Sequence, residues 1–121
     1  MDYTESELGV SEKILDVVRR GLLGVVNEPG GTAPGARLKD IEVAGKTGTA
    51  QVIKESAFKN VPESKIPEIY RDNAWFVAFA PYAAPRISVV VLVEHGGHGG
   101  FASAPIARNM INFYLHGDRI P

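Results

Sequence analysis

The sequence predicts an α+β fold: an antiparallel three-stranded sheet flanked by an N-terminal and a C-terminal helix, in the order α-β-β-β-α. Apolar residues recur at helical spacing near both ends of the chain, and three strand-like runs lie between them. A short reversal, Pro81 to Pro85, joins the second and third runs and makes them a hairpin. With 121 residues, the chain has the size of one domain or part of one.

The first helix is predicted over about 11–27, with Ser11 as its N-cap. Its apolar positions are Ile14, Leu15, Val17, Val18, Leu22, Val25 and Val26. Pro29-Gly30-Gly31 ends this helix, and the first strand follows at about 42–53. The polar, proline-containing segment 54–72 is predicted to be a long loop without regular structure.

The second and third strands are predicted at 73–80 and 86–94. In the second, Trp75, Val77 and Phe79 alternate with Phe76, Ala78 and Ala80, so one face carries bulk and the other is small enough for a helix to approach. On this alternation Trp75 is expected to belong to the core rather than to serve as a substrate platform. In the third, Val90 and Leu92 lie on the face opposite Val89 and Val91, which predicts a strand covered on both sides. A glycine-rich segment breaks this strand, and the last helix is predicted over about 104–115.

Composition excludes several classes of function. Thirteen basic against fourteen acidic side chains give a net charge of -1, which does not favour binding to nucleic acid. The absence of cysteine excludes disulfides and thiolate metal sites. The longest apolar run is too short to cross a bilayer and the first residues are acidic, so we expect no direct membrane contact; any export signal would lie outside this sequence.

The segment Lys46-Thr47-Gly48-Thr49 places a cation, two hydroxyls and a glycine along one predicted strand. A lysine ammonium and threonine hydroxyls suit a carboxylate, and a glycine lets another backbone approach. The segment therefore indicates an edge that holds an extended peptide ending in an acid. Taken alone, the same residues also fit a polar edge strand that uses Lys and Thr to stay soluble.

Five segments in order carry a resemblance to a known family. They are Gly31-Thr32-Ala33, Ala44-Gly45-Lys46-Thr47-Gly48-Thr49-Ala50-Gln51-Val52, Asn73 to Pro81, Val91 to Gly100, and Ala104-Pro105-Ile106-Ala107-Arg108. Together they resemble the C-terminal part of the transpeptidase domain of class B penicillin-binding proteins, most closely the elongation type, penicillin-binding protein 2. Residues 1–121 would then be a single partial domain of the penicillin-binding protein and serine β-lactamase-like fold.

The resemblance implies roles for one motif, Lys-Thr-Gly. Lys46 would stabilise charge around a nucleophilic serine, and Thr47, Gly48 and Thr49 would bind the substrate, with the two hydroxyls receiving the carboxylate of a peptidoglycan stem peptide or a β-lactam. The backbone N–H of Thr49 would be one of two oxyanion-hole donors. Strict alternation puts Lys46 on one face of the strand and both threonines on the other.

The resemblance further implies a serine-type D,D-transpeptidase at the periplasmic face of the bacterial inner membrane, held by an anchor outside this sequence and working with cell-elongation proteins. The family's Ser-x-x-Lys and Ser-x-Asn motifs are absent in their proper places. Ser56-Ala57-Phe58-Lys59 spells the first, but it follows the Lys-Thr-Gly strand within a loop, so we interpret it as a coincidence. This chain alone is therefore expected to be inactive.

Other motifs favour plain structural roles. Gly97-x-Gly99-x-x-Ala102 formally matches a dinucleotide fingerprint, with Asp118 near the ribose-binding position, but no further strand follows the last helix. Gly45-Lys46-Thr47 resembles the end of a P-loop whose first glycine is replaced by Asp40. We expect no cofactor from either motif.

Histidines are the remaining candidates for a metal. His95 and His98 beside Glu94, with His116 further on, lie in or after a glycine-rich turn that does not fix two imidazoles. No metal site is predicted.

Two hypotheses remain. The first is the C-terminal, substrate-binding piece of a transpeptidase, and the second is a stand-alone peptide-binding or interaction module that uses strand addition at the sheet edge. In the first case the last strand, 86–94, normally pairs with strands outside this sequence, so we expect self-association through that edge or a rearranged tail that covers it.

Overall fold

The computed structural model describes residues 9–53 and 55–117 and confirms the predicted fold class. Its elements are α1 (Glu12–Asn27), β1 (Ala44–Ala50), β2 (Asn73–Ala80), β3 (Ile87–Val93), α2 (Gly99–Ala102) and α3 (Ala104–His116). The described residues contain no helix long and apolar enough to span a membrane.

The sheet is antiparallel throughout, with β2 in the centre and β1 and β3 at its edges. In the register, Thr47 lies opposite Phe76, and Phe76 lies opposite Val91. β1 is shorter than the predicted 42–53 because β2 begins at Asn73, opposite Ala50, and so leaves residues 51–53 without a partner strand.

One face of the sheet, here called the covered face, carries the core. Phe76, Ala78, Val89 and Val91 on this face pack with residues of both long helices, Val26 of α1 and Ala107 and Ile111 of α3. Small side chains at Ala74, Ala78 and Ala80 let the helices come close to β2. The sheet is therefore closed from one side by α1 and α3.

The opposite face, here called the open face, is not covered by the described residues. Trp75 is 39% exposed, Val77 46%, Val90 61% and Leu92 43%. The prediction that Trp75 belongs to the core is therefore wrong for this chain, and so is the prediction that β3 is covered on both sides. Both predictions assumed helices on two faces, whereas both long helices lie on the face with small residues.

Helix α1 is only partly buried. Ile14, Val17 and Val18 in its first half are all more than half exposed, and Val26 near its end is its one fully buried residue. The end is also where α1 is tied down: Asn27 Nδ2 donates to the Val43 carbonyl at 2.8 Å, and Arg37 Nη2 donates to the Asn27 carbonyl at 2.7 Å. The bond from Arg37 satisfies a carbonyl at the helix terminus, and the bond from Asn27 ties the helix end to the residue before β1.

The connections hold more helix than the sequence predicts. The segment 54–72 contains single 3₁₀ turns at Glu55–Phe58, Glu63–Lys65 and Glu68–Tyr70 instead of irregular loop alone. The glycine-rich segment after β3 is predicted to be a plain connection, but it continues into the four-residue helix α2. The 3₁₀ turns follow β1, whereas α2 lies against the backbone of Gly48 in β1 and Trp75 in β2.

Candidate functional site

Thr47 and Thr49 face a cleft on the covered side of the sheet. The cleft has a volume of about 490 Å³ and lies between β1, the turn after α1 and helix α2. Thr32 stands on the facing wall, and its hydroxyl oxygen lies 3.0 Å from that of Thr47. Two hydroxyls from separate segments thus meet at one point of the cleft, where they can hydrogen-bond a carboxylate.

Lys46 lies on the other side of the strand. Its register partner is Val77 of the open face, and its exposed side chain folds back so that Nζ donates to the Thr47 carbonyl at 2.7 Å. The predicted alternation, with Lys46 on one face and the threonines on the other, agrees with this register. The ammonium group thus lies at the strand edge. Lys46 is not among the described residues that line the cleft.

Glycines bring α2 against β1 and the opposite wall. A Cβ on Gly99 would overlap the Trp75 carbonyl oxygen, and a Cβ on Gly100 would overlap the Thr32 carbonyl oxygen. Because backbone atoms already occupy the space that a side chain would need at both positions, only glycine fits there. The next residue, Phe101, also lines the cleft and is 86% exposed, so an aromatic ring stands at the rim.

Ser103 holds the end of α2 and the start of α3 on the sheet. Its fully buried hydroxyl donates to the Ala74 carbonyl at 2.8 Å, and Ala74 is the register partner of Thr49. The contact fixes the distance between α3 and the strand that supports β1. Sequence reasoning assigned no role to Ser103.

Thr32 is likewise missing from the predicted site residues. Its only signal in the sequence is its place in Gly31-Thr32-Ala33. Gly31 is required there because a Cβ would overlap backbone carbonyls of α1, so the turn runs tightly beside the helix and delivers Thr32 to the cleft. The proximity of residues 32 and 47 depends on how α1 packs on the sheet.

The other candidate motifs are kept apart by the fold. His95 Nδ1 lies 3.2 Å from the Arg71 carbonyl oxygen, whereas His116 Nε2 pairs with Asp40 at 2.9 Å. Within residues 9–53 and 55–117, no three His, Asp or Glu side chains converge as metal ligands. In Ser56-Ala57-Phe58-Lys59, the side chain of Ser56 lies outside the part of the chain that the structure describes.

Comparison with known proteins identifies the relatives of this chain. The family described as the penicillin binding protein transpeptidase domain matches residues 3–112. Peptidoglycan D,D-transpeptidase MrdA of Haemophilus influenzae is 36% identical over 107 residues, which are 88% of this chain and 16% of that protein. The chain thus spans about a sixth of this curated relative.

Solved structures agree in fold. A complex between penicillin-binding protein 2 and MreC from Helicobacter pylori matches with a TM-score of 0.68 and 33% identity, over 87% of this chain and 18% of that one. The ceftriaxone acyl-enzyme of penicillin-binding protein A from Mycobacterium tuberculosis matches with a TM-score of 0.66 and 28% identity, over 88% of this chain and 22% of that one.

Proposed function

The chain belongs to the family of penicillin-binding protein transpeptidase domains, of the penicillin-binding protein 2 or MrdA type, and we propose that it is the C-terminal substrate-binding part of a peptidoglycan D,D-transpeptidase. In this proposal residues 1–121 are a single partial domain. The observation that carries it is the meeting of Thr32 and Thr47 hydroxyls, 3.0 Å apart, in a cleft bounded by the Lys46-Thr47-Gly48 strand.

The hydroxyls of Thr47 and Thr49 receive the C-terminal carboxylate of a stem peptide, or the corresponding carboxylate of a β-lactam. Lys46 supplies the positive charge that a bound anion and a developing oxyanion both need. Its ammonium is held at the strand edge by the Thr47 carbonyl, a contact that a substrate or a Ser-x-Asn serine from outside this sequence would replace.

The Thr49 N–H serves as one oxyanion-hole donor. β1 is an edge strand of the described sheet, so alternate backbone groups point away from β2. The Thr47 carbonyl is reached by the lysine side chain at 2.7 Å, which supports its position on the outer edge, and Thr49, two residues on, points the same way. A carbonyl under attack at this edge accepts a hydrogen bond from that N–H.

Chemistry beyond binding requires residues from outside this sequence. Neither Ser-x-Asn nor a Ser-x-x-Lys in its proper place is present, so the acyl-serine intermediate forms on a serine elsewhere in a longer protein and this chain alone is inactive. The open face and the exposed half of α1 support this division, because they are apolar surfaces without a covering element among the described residues.

The longer protein is proposed to act at the periplasmic face of the bacterial inner membrane with cell-elongation proteins. A relative of this chain forms a complex with MreC, which supports such a partner. Peptidoglycan is the substrate named for the curated relative, and a β-lactam acylates another relative.

Labelled penicillin tests the proposal on the longer protein. We expect one covalent adduct, and peptide mapping should place it on a serine outside residues 1–121, followed by lysine three positions later. An adduct on Ser56, or a longer protein that no penicillin acylates, would contradict the proposal. A reading frame that holds no such serine would instead favour the second hypothesis, a peptide-binding module that adds a strand to the edge of β1.

A further inference from the structure

A groove runs between the second half of α1 and the turn that follows it. It has a volume of about 260 Å³ and is here called the turn groove; Gly24 and Val25 of α1 line one side, and residues 28–32 line the other. Thr32 and the two glycines before it also line the cleft that contains Thr47 and Thr49. The turn groove therefore adjoins the proposed carboxylate cleft at Thr32.

Glu28 contributes a carboxylate to the turn groove. A Cβ on Gly24 would lie 2.9 Å from Glu28 Oε2, so the carboxylate rests over that glycine. Glu28 is exposed, and within residues 9–53 and 55–117 no lysine, arginine or histidine forms an ion pair with it. The Gly31 N–H donates to the Glu28 carbonyl at 3.1 Å, which holds the two residues in one turn, with Cα atoms less than about 7 Å apart. A carboxylate acceptor thus stands one turn away from Thr32.

The proposed reaction needs room for a second substrate. In transpeptidation the terminal D-alanine of the donor peptide leaves, and its carboxylate lies at Thr47 and Thr49 in the proposed function. The amine of an acceptor peptide then bonds to the acyl carbon, the bond from that carbon to the serine oxygen breaks, and the amine proton passes to this oxygen. By microscopic reversibility, the acceptor nitrogen takes the position that the leaving nitrogen held. The carbon that carries the acceptor amine therefore lies at the cleft.

The rest of the acceptor needs a path out of the cleft. An acceptor whose amine and carboxylate share one carbon, as they do in D-alanine, places its carboxylate at the two threonines. The arm that leads from this carbon to the rest of the peptide can then enter the turn groove beside Thr32. An arm of four carbons reaches an amide nitrogen after roughly 6 Å, which is comparable with the span of the turn from Glu28 to Gly31.

We propose that the turn groove binds the arm of the acceptor peptide, with Glu28 accepting a hydrogen bond from an amide N–H of that arm. This inference rests on the proposed function, since the carboxylate at Thr47 and Thr49 places the acceptor. An ionised carboxylate accepts hydrogen bonds and donates none, so the site selects an arm that carries a donor over one that is wholly apolar.

Two matched amino acids test the site on the ¹⁵N-labelled 121-residue chain. Nε-acetyl-D-lysine carries an amine and a carboxylate on one carbon and a four-carbon arm that ends in an amide, whereas D-norleucine has the same arm without the amide. We expect both to shift the amide signals of Thr47 and Thr49. Only Nε-acetyl-D-lysine should also shift Glu28, and it should bind roughly fivefold more tightly, the effect of one hydrogen bond at an exposed site.

Glu28→Ala removes the acceptor and should abolish this gain without changing the affinity for D-norleucine. Glu28→Gln keeps an acceptor oxygen without the charge and should keep part of the gain. The control is Glu68→Ala, which removes the carboxylate of an exposed residue outside both cavities and should leave both affinities unchanged.

Three results would overturn the inference: equal affinities for the two amino acids with Glu28 unshifted, a gain that survives Glu28→Ala, or a response of Glu28 without one of Thr47 and Thr49. Acetyl-D-Ala-D-Ala, which mimics the donor, separates this inference from the proposed function. If it shifts Thr47 and Thr49 while neither amino acid does, the inference fails and the proposed function stands. If none of the three ligands shifts them, carboxylate binding at β1 fails together with the inference.

Discussion

The Thr32 hydroxyl lies 3.0 Å from the Thr47 hydroxyl, although the two residues are fifteen positions apart and belong to different segments. One hydroxyl donates and the other accepts, which leaves Thr47 oriented but still able to bond a ligand through its remaining capacity. Thr32 thus positions the hydroxyl that the proposed function assigns to carboxylate binding.

Thr32→Val should weaken binding of acetyl-D-Ala-D-Ala by a few fold, because Thr47 keeps its hydroxyl but loses the bond that orients it, a contribution of about 0.5–1.5 kcal/mol. Thr32→Ser keeps the hydroxyl and should bind nearly as the unaltered chain does. NMR titration of the three proteins measures this. Equal affinities for the valine and serine variants would remove Thr32 from the site.

Gly100→Ala should destabilise the chain by roughly 1–3 kcal/mol, because the added Cβ overlaps the Thr32 carbonyl and forces α2 away from the cleft wall. Gly21→Ala is the matched control: no atom lies within 4 Å of its Cβ position on α1, and replacing a helical glycine stabilises by about 0.5–1 kcal/mol. Urea unfolding compares the two. A neutral Gly100→Ala would mean that α2 does not pack as described.

Val90→Thr and Val91→Thr test which face of the sheet is covered. Val91 is 8% exposed and Val90 is 61% exposed. Val91→Thr should therefore lower the free energy of unfolding by about 1–3 kcal/mol, and Val90→Thr should lower it by less than about 0.5 kcal/mol. Chemical unfolding at low protein concentration measures both. Equal costs would show that some element covers the open face.

Self-association through β3 is expected, since no described strand pairs with its outer edge. Sedimentation velocity should show a mass that rises with concentration, and Val90→Lys should reduce this rise by adding charge beside the edge. The control is Val52→Lys, which makes the same change at a position that is 43% exposed and lies outside the strands. A monomer at high concentration whose amides along 87–93 are protected would contradict pairing between chains.

Local patterns in the sequence were sufficient to predict the three strands and the two long helices. Alternation places Phe76 and Ala78 on one face, and helical spacing places Ile111 and Ala107 on another element that meets them. Trp75 was misassigned because alternation tells which residues share a face but not which face receives the helices. That choice depends on packing between distant segments.

Of the residues in the candidate site, only those on β1 could be predicted from the sequence. Lys46, Thr47 and Thr49 are consecutive or nearly so, and their alternation follows from strand geometry. Thr32 and Ser103 reach the same region through tertiary contacts, and the polar composition of 54–72 does not indicate the 3₁₀ turns that this segment forms.

Thr47→Val tests whether β1 binds a carboxylate, since it keeps the volume of the side chain and removes the hydroxyl proposed to bind that group. In amide titrations with acetyl-D-Ala-D-Ala, we expect the unaltered chain to show reversible shifts at Thr47 and Thr49. The valine variant should bind roughly ten- to a hundredfold more weakly, the loss of a hydrogen bond to a charged group. Ser88→Ala, which removes an exposed hydroxyl of β3, should change nothing. Equal affinity of the valine variant and the unaltered chain would show that the Thr47 hydroxyl does not bind the carboxylate.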